Sequence, residues 1–484
     1  MTYCVMFVLL LISILPAQTV LTLQDALDIA MENSPQIKQA QLSLERSEQS
    51  LAAQRAALKS NFSLSVNPFE YSFDRRFDRF TNVWFTSENK VSASNFRISQ
   101  PLVWTDGTFS VINRLQWQET WSEIQAQRTT TWSNNLYLNY AQPLFTYNRT
   151  QLAIKDLELD FENTSLNFIL RKLALEYDVT NAFYEVYRNK LSYDIAREEY
   201  SNTNNSYQII KNKVDAGLAA KEELYQSELN LLNSESTVQN NRVTLENSLD
   251  SFKKMIGISV LDSINIVGDV THQVIDVDVQ LAIEQGLQHR LELRQREIDI
   301  QSAYHSLIET MAYNEFRGDL NLTYGIIGVN ENFDDLYQRS DKDRQVSINL
   351  EIPLFDWGER KARIRASEAI LEAQHVAKDE QEADILIGIR QSYRQLQNLV
   401  KQIDIARQNV KNAQLTYEIN LERYENGDLT SMDLNLFQIQ LSDAKSQLTD
   451  SIINYKLALL NLKIQSMYDF VRDTPVMPEN LLDE

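Results

Sequence analysis

The chain has 484 residues, 46 Lys and Arg against 67 Asp and Glu, and a formal net charge of -21. With only 11 Gly, 8 Pro and 43% hydrophobic residues, it is neither collagen-like, nor Pro-rich, nor a flexible linker, and it carries too much apolar surface for wholesale disorder. So acidic a protein repels the phosphates that nucleic-acid binders neutralise.

Val5 to Leu15 form an apolar run of eleven, followed by Pro16-Ala17-Gln18-Thr19. A membrane-spanning helix needs about twenty such residues, so residues 1–17 read as a signal peptide cut near Ala17 or Gln18. Met1 to Cys4 depart from that pattern in having no Lys or Arg. Cys4 is the one cysteine and precedes the run, so the mature protein is expected to be exported and cysteine-free. No later stretch reaches eighteen apolar residues, which argues against a helical membrane protein.

Next come segments with a period of two: Phe62, Leu64 and Val66; Leu136, Leu138 and Tyr140; Leu320, Leu322 and Tyr324; Val346, Ile348, Leu350 and Ile352. Their partners on the other face are strongly polar. Such alternation fits a half-buried antiparallel sheet or a barrel with lipid outside and water inside, and the nearby Trp and Tyr favour the barrel. Between these segments lie spans without breakers: no Pro between Pro143 and Pro353 or between Pro353 and Pro475, and no Gly between Gly107 and Gly217. They suit very long helices, since an interior Pro costs about 3 kcal/mol and an interior Gly about 1.

The chain repeats itself. Pro143-Leu144-Phe145 recurs as Pro353-Leu354-Phe355, and Gly217 with Leu224 recurs as Gly427 with Leu434, both at an offset of 210. Each Gly is expected to supply the left-handed residue that turns one helix into the next. Upstream, Ala26-Leu27-Asp28-Ile29-Ala30-Met31 matches Ala282-Ile283-Glu284-Gln285-Gly286-Leu287 at an offset of 256. The first copy therefore holds 46 extra residues before Pro143, around Trp104 to Trp132, consistent with a strand pair or a long loop.

The opening Leu23-Gln24-Asp25-Ala26-Leu27-Asp28-Ile29-Ala30 with Asn33-Ser34-Pro35, the two Pro-Leu-Phe exits, and the turns Val214-Asp215-Ala216-Gly217-Leu218 and Tyr424-Glu425-Asn426-Gly427-Asp428 together resemble the TolC family of outer-membrane efflux proteins. The resemblance implies an α+β membrane protein of two internal repeats: a long antiparallel α-helical coiled-coil tunnel plus a transmembrane β-barrel shared between the protomers of a homotrimer. The layout expected is a signal peptide over 1–17 and a first repeat over 18–257, comprising a helix over 22–60, strands over about 62–146 with the insertion, and long helices over 148–213 and 219–255. An equatorial linker over 258–279 follows. The second repeat, over 280–468, holds a helix over 280–316, strands over about 318–356 and long helices over 358–425 and 430–466, before a C-terminal tail over 469–484. The family's usual count is four strands per protomer; the insertion adds to it an extracellular hairpin or additional barrel strands.

The resemblance also implies an exit duct from periplasm to exterior, in an efflux or type I secretion system, coupled through a periplasmic adaptor to an inner-membrane pump. Aligned on Gly427, Tyr424 matches a gate tyrosine and Asp433 an aspartate of a constricting ring. The second ring position falls on Leu436, and a gate-locking arginine position on Leu429, with Glu223 where its acidic partner would stand; position 429 thus lacks the arginine that an ion-pair lock uses. Ala216-Gly217-Leu218 and Asn426-Gly427-Asp428 are the expected docking tips for the adaptor.

Four histidines, His272, His289, His305 and His375, form no HExxH pattern, and the mature chain offers no thiol. Among 67 acids nothing selects a catalytic pair, so no enzyme, metal or cofactor is expected. The alternative is a secreted or periplasmic coiled-coil structural or adaptor protein without a barrel, whose helices would look alike but which would not need alternating strands twice.

Overall fold

A computed structural model describes residues 19–476 apart from 80–81, 124–125, 269–270, 272, 339 and 426–427. The expected leader, and the tail beyond 476, lie outside the described residues. The described residues divide into two compact units: one of residues 44–164 and 295–378, the other of residues 19–43, 165–294 and 379–476.

Eight helices carry the repeat: α1 (Leu23–Asn33), α2 (Pro35–Ala57), α3 (Arg149–Asp215), α4 (Lys221–Ile256), α5 (Val279–His289), α6 (Leu291–Met311), α7 (Glu359–Glu425) and α8 (Ser431–Ser466). α3 and α7 have 67 residues each and α4 and α8 have 36 each, every boundary recurring at the offset of 210. α1 and α5 have 11 residues each, at the offset of 256. Thr22 starts α1 by accepting from the Asp25 amide at 3.2 Å while its own amide donates to the Asp25 carboxylate at 3.0 Å. That backbone bond holds the Asp25 carboxyl below its usual range.

The helix expected over 22–60 is two helices, parted at Ser34 (φ −55°, ψ 132°), because the Pro35 ring drives the preceding residue out of the helical region. The helix expected over 280–316 is also two, parted at Arg290 (φ −64°, ψ 122°) with no proline present. There the Arg290 guanidinium holds the break by donating to Glu292 at 2.6 Å and to the Gln465 carbonyl at 3.2 Å.

In the unit that holds both helical hairpins, one apolar cluster gathers Ala26, Ala30, Leu175, Val179, Val186 and Phe252, and a second gathers Ala282, Ile385, Ile389, Leu396 and Leu462. Leu175 and Ile385, Val179 and Ile389, Val186 and Leu396, and Phe252 and Leu462 are pairs at the offset of 210, all buried. The repeat is thus one of packing as well as of sequence. Two small pairings brace this unit: β1 (Thr19–Leu21) runs parallel to β6 (Ile264–Ile266), and β9 (Tyr468–Asp469) pairs with β10 (Thr474–Pro475).

The other unit holds one antiparallel sheet in the order β2 (Asn61–Asp78), β3 (Val83–Leu102), β4 (Gly107–Ser122), β5 (Gln127–Leu144), β7 (Arg317–Asn330) and β8 (Ser340–Glu351). The extra residues of the first copy are a further strand pair within this sheet. Its register sorts side chains by face. Phe62, Ile98, Val111, Leu138 and Tyr324 form one cross-strand row, and Leu64, Phe96, Asn113, Leu136 and Ile326 the next. On the opposite face Ser65, Asn95, Arg114 and Asn135 are aligned. The apolar face ends in a charged cross-strand row, where Lys90 bonds Glu119 at 2.8 Å and Arg128 lies 3.4 Å from the same carboxylate. One apolar face on water would be costly; a wall between lipid and water satisfies both faces.

Candidate functional site at the hairpin tips

The tip joining α3 to α4 is closed by backbone hydrogen bonds. The Gly217 amide donates to the Val214 carbonyl at 2.9 Å and the Leu218 amide to the Lys213 carbonyl at 2.7 Å. The second bond spans five residues and requires a left-handed residue inside it, which Gly217 supplies with φ +72°. Nothing lies within 4 Å of where its Cβ would stand, so conformation rather than crowding selects glycine. Leu218 beyond it is 79% exposed, a large apolar side chain at an unpartnered turn, and Ala216 is exposed beside it.

At the tip joining α7 to α8, the Asp428 amide donates to the Arg423 carbonyl at 2.9 Å, the counterpart of the Leu218 bond at the offset of 210. Asn426 and Gly427 lie outside the described residues. Thr430 then caps α8: its oxygen accepts from the Asp433 amide at 3.2 Å, and its hydroxyl donates to the Asp433 carboxylate at 2.7 Å. The carboxylate sits in the first turn, where the helix dipole favours negative charge. Asp433 is exposed, as are Leu436 and Glu223, while Leu429 is half-buried. Tyr424 is half-buried near the end of α7, with the Lys213 ammonium of α3 6.0 Å from its ring. The structure thus brings Tyr424 against the end of α3 and Asp433 against Thr430; Glu223 stands in the first turn of α4, whose Ncap Ala220 offers no side-chain cap.

Sequence reasoning missed an acidic pair farther along the same helices. Glu199 on α3 has its carboxyl pushed up, first by burial and then by the nearby Asp443 carboxylate on α8. Tyr417 on α7 is raised likewise, by burial and then by Glu198. Thr203 and Ser227, both buried, line a small polar recess with Asn230, Leu434 and Gln438 between α3, α4 and α8. No spacing rule joins residues 244 positions apart, so only the packing of α3 on α8 reveals the Glu199 and Asp443 pair.

His305 and His375 line a cavity of about 560 Å³ in the sheet-bearing unit, where His305 Nδ1 is hydrogen-bonded to Asp156. Among the described residues no group of three His, Cys, Asp or Glu side chains is placed to hold a metal ion.

The model of the outer membrane efflux protein family matches residues 282–463. No curated protein sequence matches the chain. Among solved structures, the outer membrane channel CmeC of Campylobacter jejuni is similar at a TM-score of 0.70 and 14% identity, over 95% of this chain and 88% of that one. The VceC outer membrane protein of Vibrio cholerae is similar at 0.64 and 13%, over 91% and 94%. The open state of the MtrE outer membrane channel of Neisseria gonorrhoeae gives 0.66 and 13%, over 93% and 90%. At these identities the likeness is one of fold. The resemblance read from the sequence is borne out, by the family match over most of the second repeat and by fold over nearly the whole chain.

Proposed function

We propose that this chain is a passive exit duct through the outer membrane, the channel component of an efflux or type I secretion assembly. The observation that carries this reading is the pairing, in one chain, of two helical hairpins repeated at a fixed offset with a sheet that is apolar on one face and polar on the other. Six strands are fewer than the eight that close the smallest barrels, and an unpaired strand edge in lipid costs several kcal/mol per unsatisfied backbone group. The working unit is therefore several copies, a homotrimer by family resemblance, with residues 18–257 and 280–468 as the two repeats of each protomer. A secreted coiled-coil protein would have no use for the exposed apolar row of β2.

In this reading the tips face a periplasmic adaptor, itself coupled to an inner-membrane pump. Leu218 offers an apolar anchor, and the small Ala216 and Gly217, with their counterparts Asn426, Gly427 and Asp428, let a partner backbone approach closely. Asp433 from each copy forms an acidic constriction, with Tyr424 beside it; Leu429 and Leu436 supply neither the locking arginine nor a second acidic ring. A narrow acidic ring favours cations. The test is fractionation of cells followed by export assays: the protein should sediment with outer membranes, and Ala216→Trp or Leu218→Glu should abolish export and adaptor crosslinking at normal oligomer yield. A soluble product, or parental export with both tip variants, would refute the reading.

A further inference from the structure

We infer that each copy gives all six strands to the barrel wall, with β8 of one copy pairing antiparallel to β2 of the next. This rests on the homotrimer reading above, under which three copies close eighteen strands rather than the twelve that four strands per protomer would give.

The first ground is that the sheet is continuous. β2 pairs with β3 over 16 residue pairs, and β3 with β4, β4 with β5, β5 with β7 and β7 with β8 follow without a gap, leaving β2 and β8 as the edges. Six antiparallel strands put β2 and β8 in opposite directions, so an edge-to-edge seam with a second copy is antiparallel like every other pairing in the sheet.

The second ground is that β2 is rooted with the rest of the wall. Gln100, near the end of β3, donates to the Leu58 carbonyl at 2.9 Å just before β2 and accepts from the Ser60 hydroxyl at 2.6 Å. The β3–β4 turn is tied to the start of α3: Asn148 donates to the Val103 carbonyl at 2.6 Å, and the Asp106 carboxylate accepts from the Thr150 amide at 3.0 Å. A hairpin detached from the wall would have no reason to share these anchors.

The third ground is the side-chain pattern of the two edges. Phe62, Leu64, Val66, Phe73 and Phe77 on β2 are between 44% and 65% exposed, and Val346, Ile348 and Leu350 on β8 between 48% and 72%. Val66 opposes Ser94 while Tyr71, five residues on, opposes Lys90, four residues back along β3. The extra residue lies in the bulge between Asn67 and Glu70, and it returns Tyr71, Phe73 and Phe77 to the face of Phe62, Leu64 and Val66. A bulge that keeps one facial phase along an edge strand fits a strand whose outer face meets lipid up to the Lys90 row and carries aromatic side chains beyond it. Because barrel width grows with strand number, eighteen strands at equal tilt give a wall about half as wide again as twelve.

The alternative is a wall of β4, β5, β7 and β8 only, in which β8 would meet β4 of the next copy. Disulfide trapping in outer membranes separates the two, in the full-length chain with Cys4→Ala. Cysteines at Ser63, Ser65 or Asn67 on β2 are combined with cysteines at Ser347 or Asn349 on β8, all on the polar face. A parallel set combines Thr108, Ser110 or Ile112 on β4 with the same β8 positions. The expected result is a shift of the monomer band to a reducible oligomer ladder in the β2 set and none in the β4 set. A ladder in the β4 set, or none in either set from protein that fractionates with outer membranes, would overturn the inference. Mass in detergent is read separately: a copy number other than three with the β2 ladder intact would remove the homotrimer reading and leave the seam standing.

Discussion

The hydroxyl of Thr430 donates to the carboxylate of Asp433 at 2.7 Å while accepting from the Asp433 amide at 3.2 Å, so the residue proposed to form the constriction is also half of a helix cap. The two roles separate by chemistry. Asp433→Asn keeps the amide and a side-chain oxygen but removes the charge; Thr430→Ala removes the cap but keeps the charge. Thr430→Ala should cost about 1 kcal/mol, seen as faster amide exchange in the first turn of α8, whereas Asp433→Asn should leave that exchange nearly unchanged. Equal loss of protection in both variants would mean that the ion, not the cap, orders this turn.

Two left-handed glycines of the same unit should respond differently. Gly217 has open space around it, so Gly217→Ala should cost only the backbone term of about 1–2 kcal/mol, and Asn should be tolerated better than Val. Gly257 (φ +80°) ends α4, and a Cβ there would lie 2.2 Å from the Asn33 carbonyl oxygen. Gly257→Ala should therefore cost several kcal/mol and sharply reduce the yield of folded protein. Thermal unfolding of the two variants in detergent, if it ranked them equally, would contradict this packing.

Glu199 carries the pH prediction. Its folded pKa is raised by burial and by Asp443, so the native state binds the proton more tightly than the unfolded chain does. The resulting penalty is absent when both states are protonated, grows as pH rises through the unfolded value near 4.5, and is complete above the folded value. Glu199→Gln should thus raise the Tm at pH 8 and lose its advantage as pH is brought below about 4.5. A variant less stable than the parent at pH 8 would assign the carboxylate a favourable contact instead.

On β2 neighbouring positions should tolerate charge in opposite ways. Leu64→Arg places a cation on the face proposed to meet lipid, at about 2–4 kcal/mol if near the bilayer midplane, while Ser65→Arg points to the polar face. Outer-membrane yield should fall for the first and hold for the second. The reverse order would exchange the two faces of the sheet.

Much of this fold was legible in the sequence because it is written twice. The offset of 210 between Gly217 and Gly427 recurs in the boundaries of α3, α4, α7 and α8, and in the buried pair Phe252 and Leu462. The alternation of Val346, Ile348 and Leu350 marked β8 because a strand with unlike faces leaves a period of two. What stayed hidden depends on contacts distant in sequence or on very short elements. The three-residue β1 and β6 are too short to show a period, the break at Arg290 has no proline to announce it, and Glu199 meets Asp443 only through packing. The side-chain placement of Asp433 on Thr430 follows a local capping pattern, Thr430-x-x-Asp433, that was there to be read.

The duct proposed here is acidic and ion-conducting, and the reversal potential of the purified oligomer in a planar bilayer under a KCl gradient tests this most directly. The expected result is stepwise conductance with a reversal potential of the sign set by cations, moving toward zero in Asp433→Asn. Anion selectivity, or oligomers that insert without conducting, would contradict it.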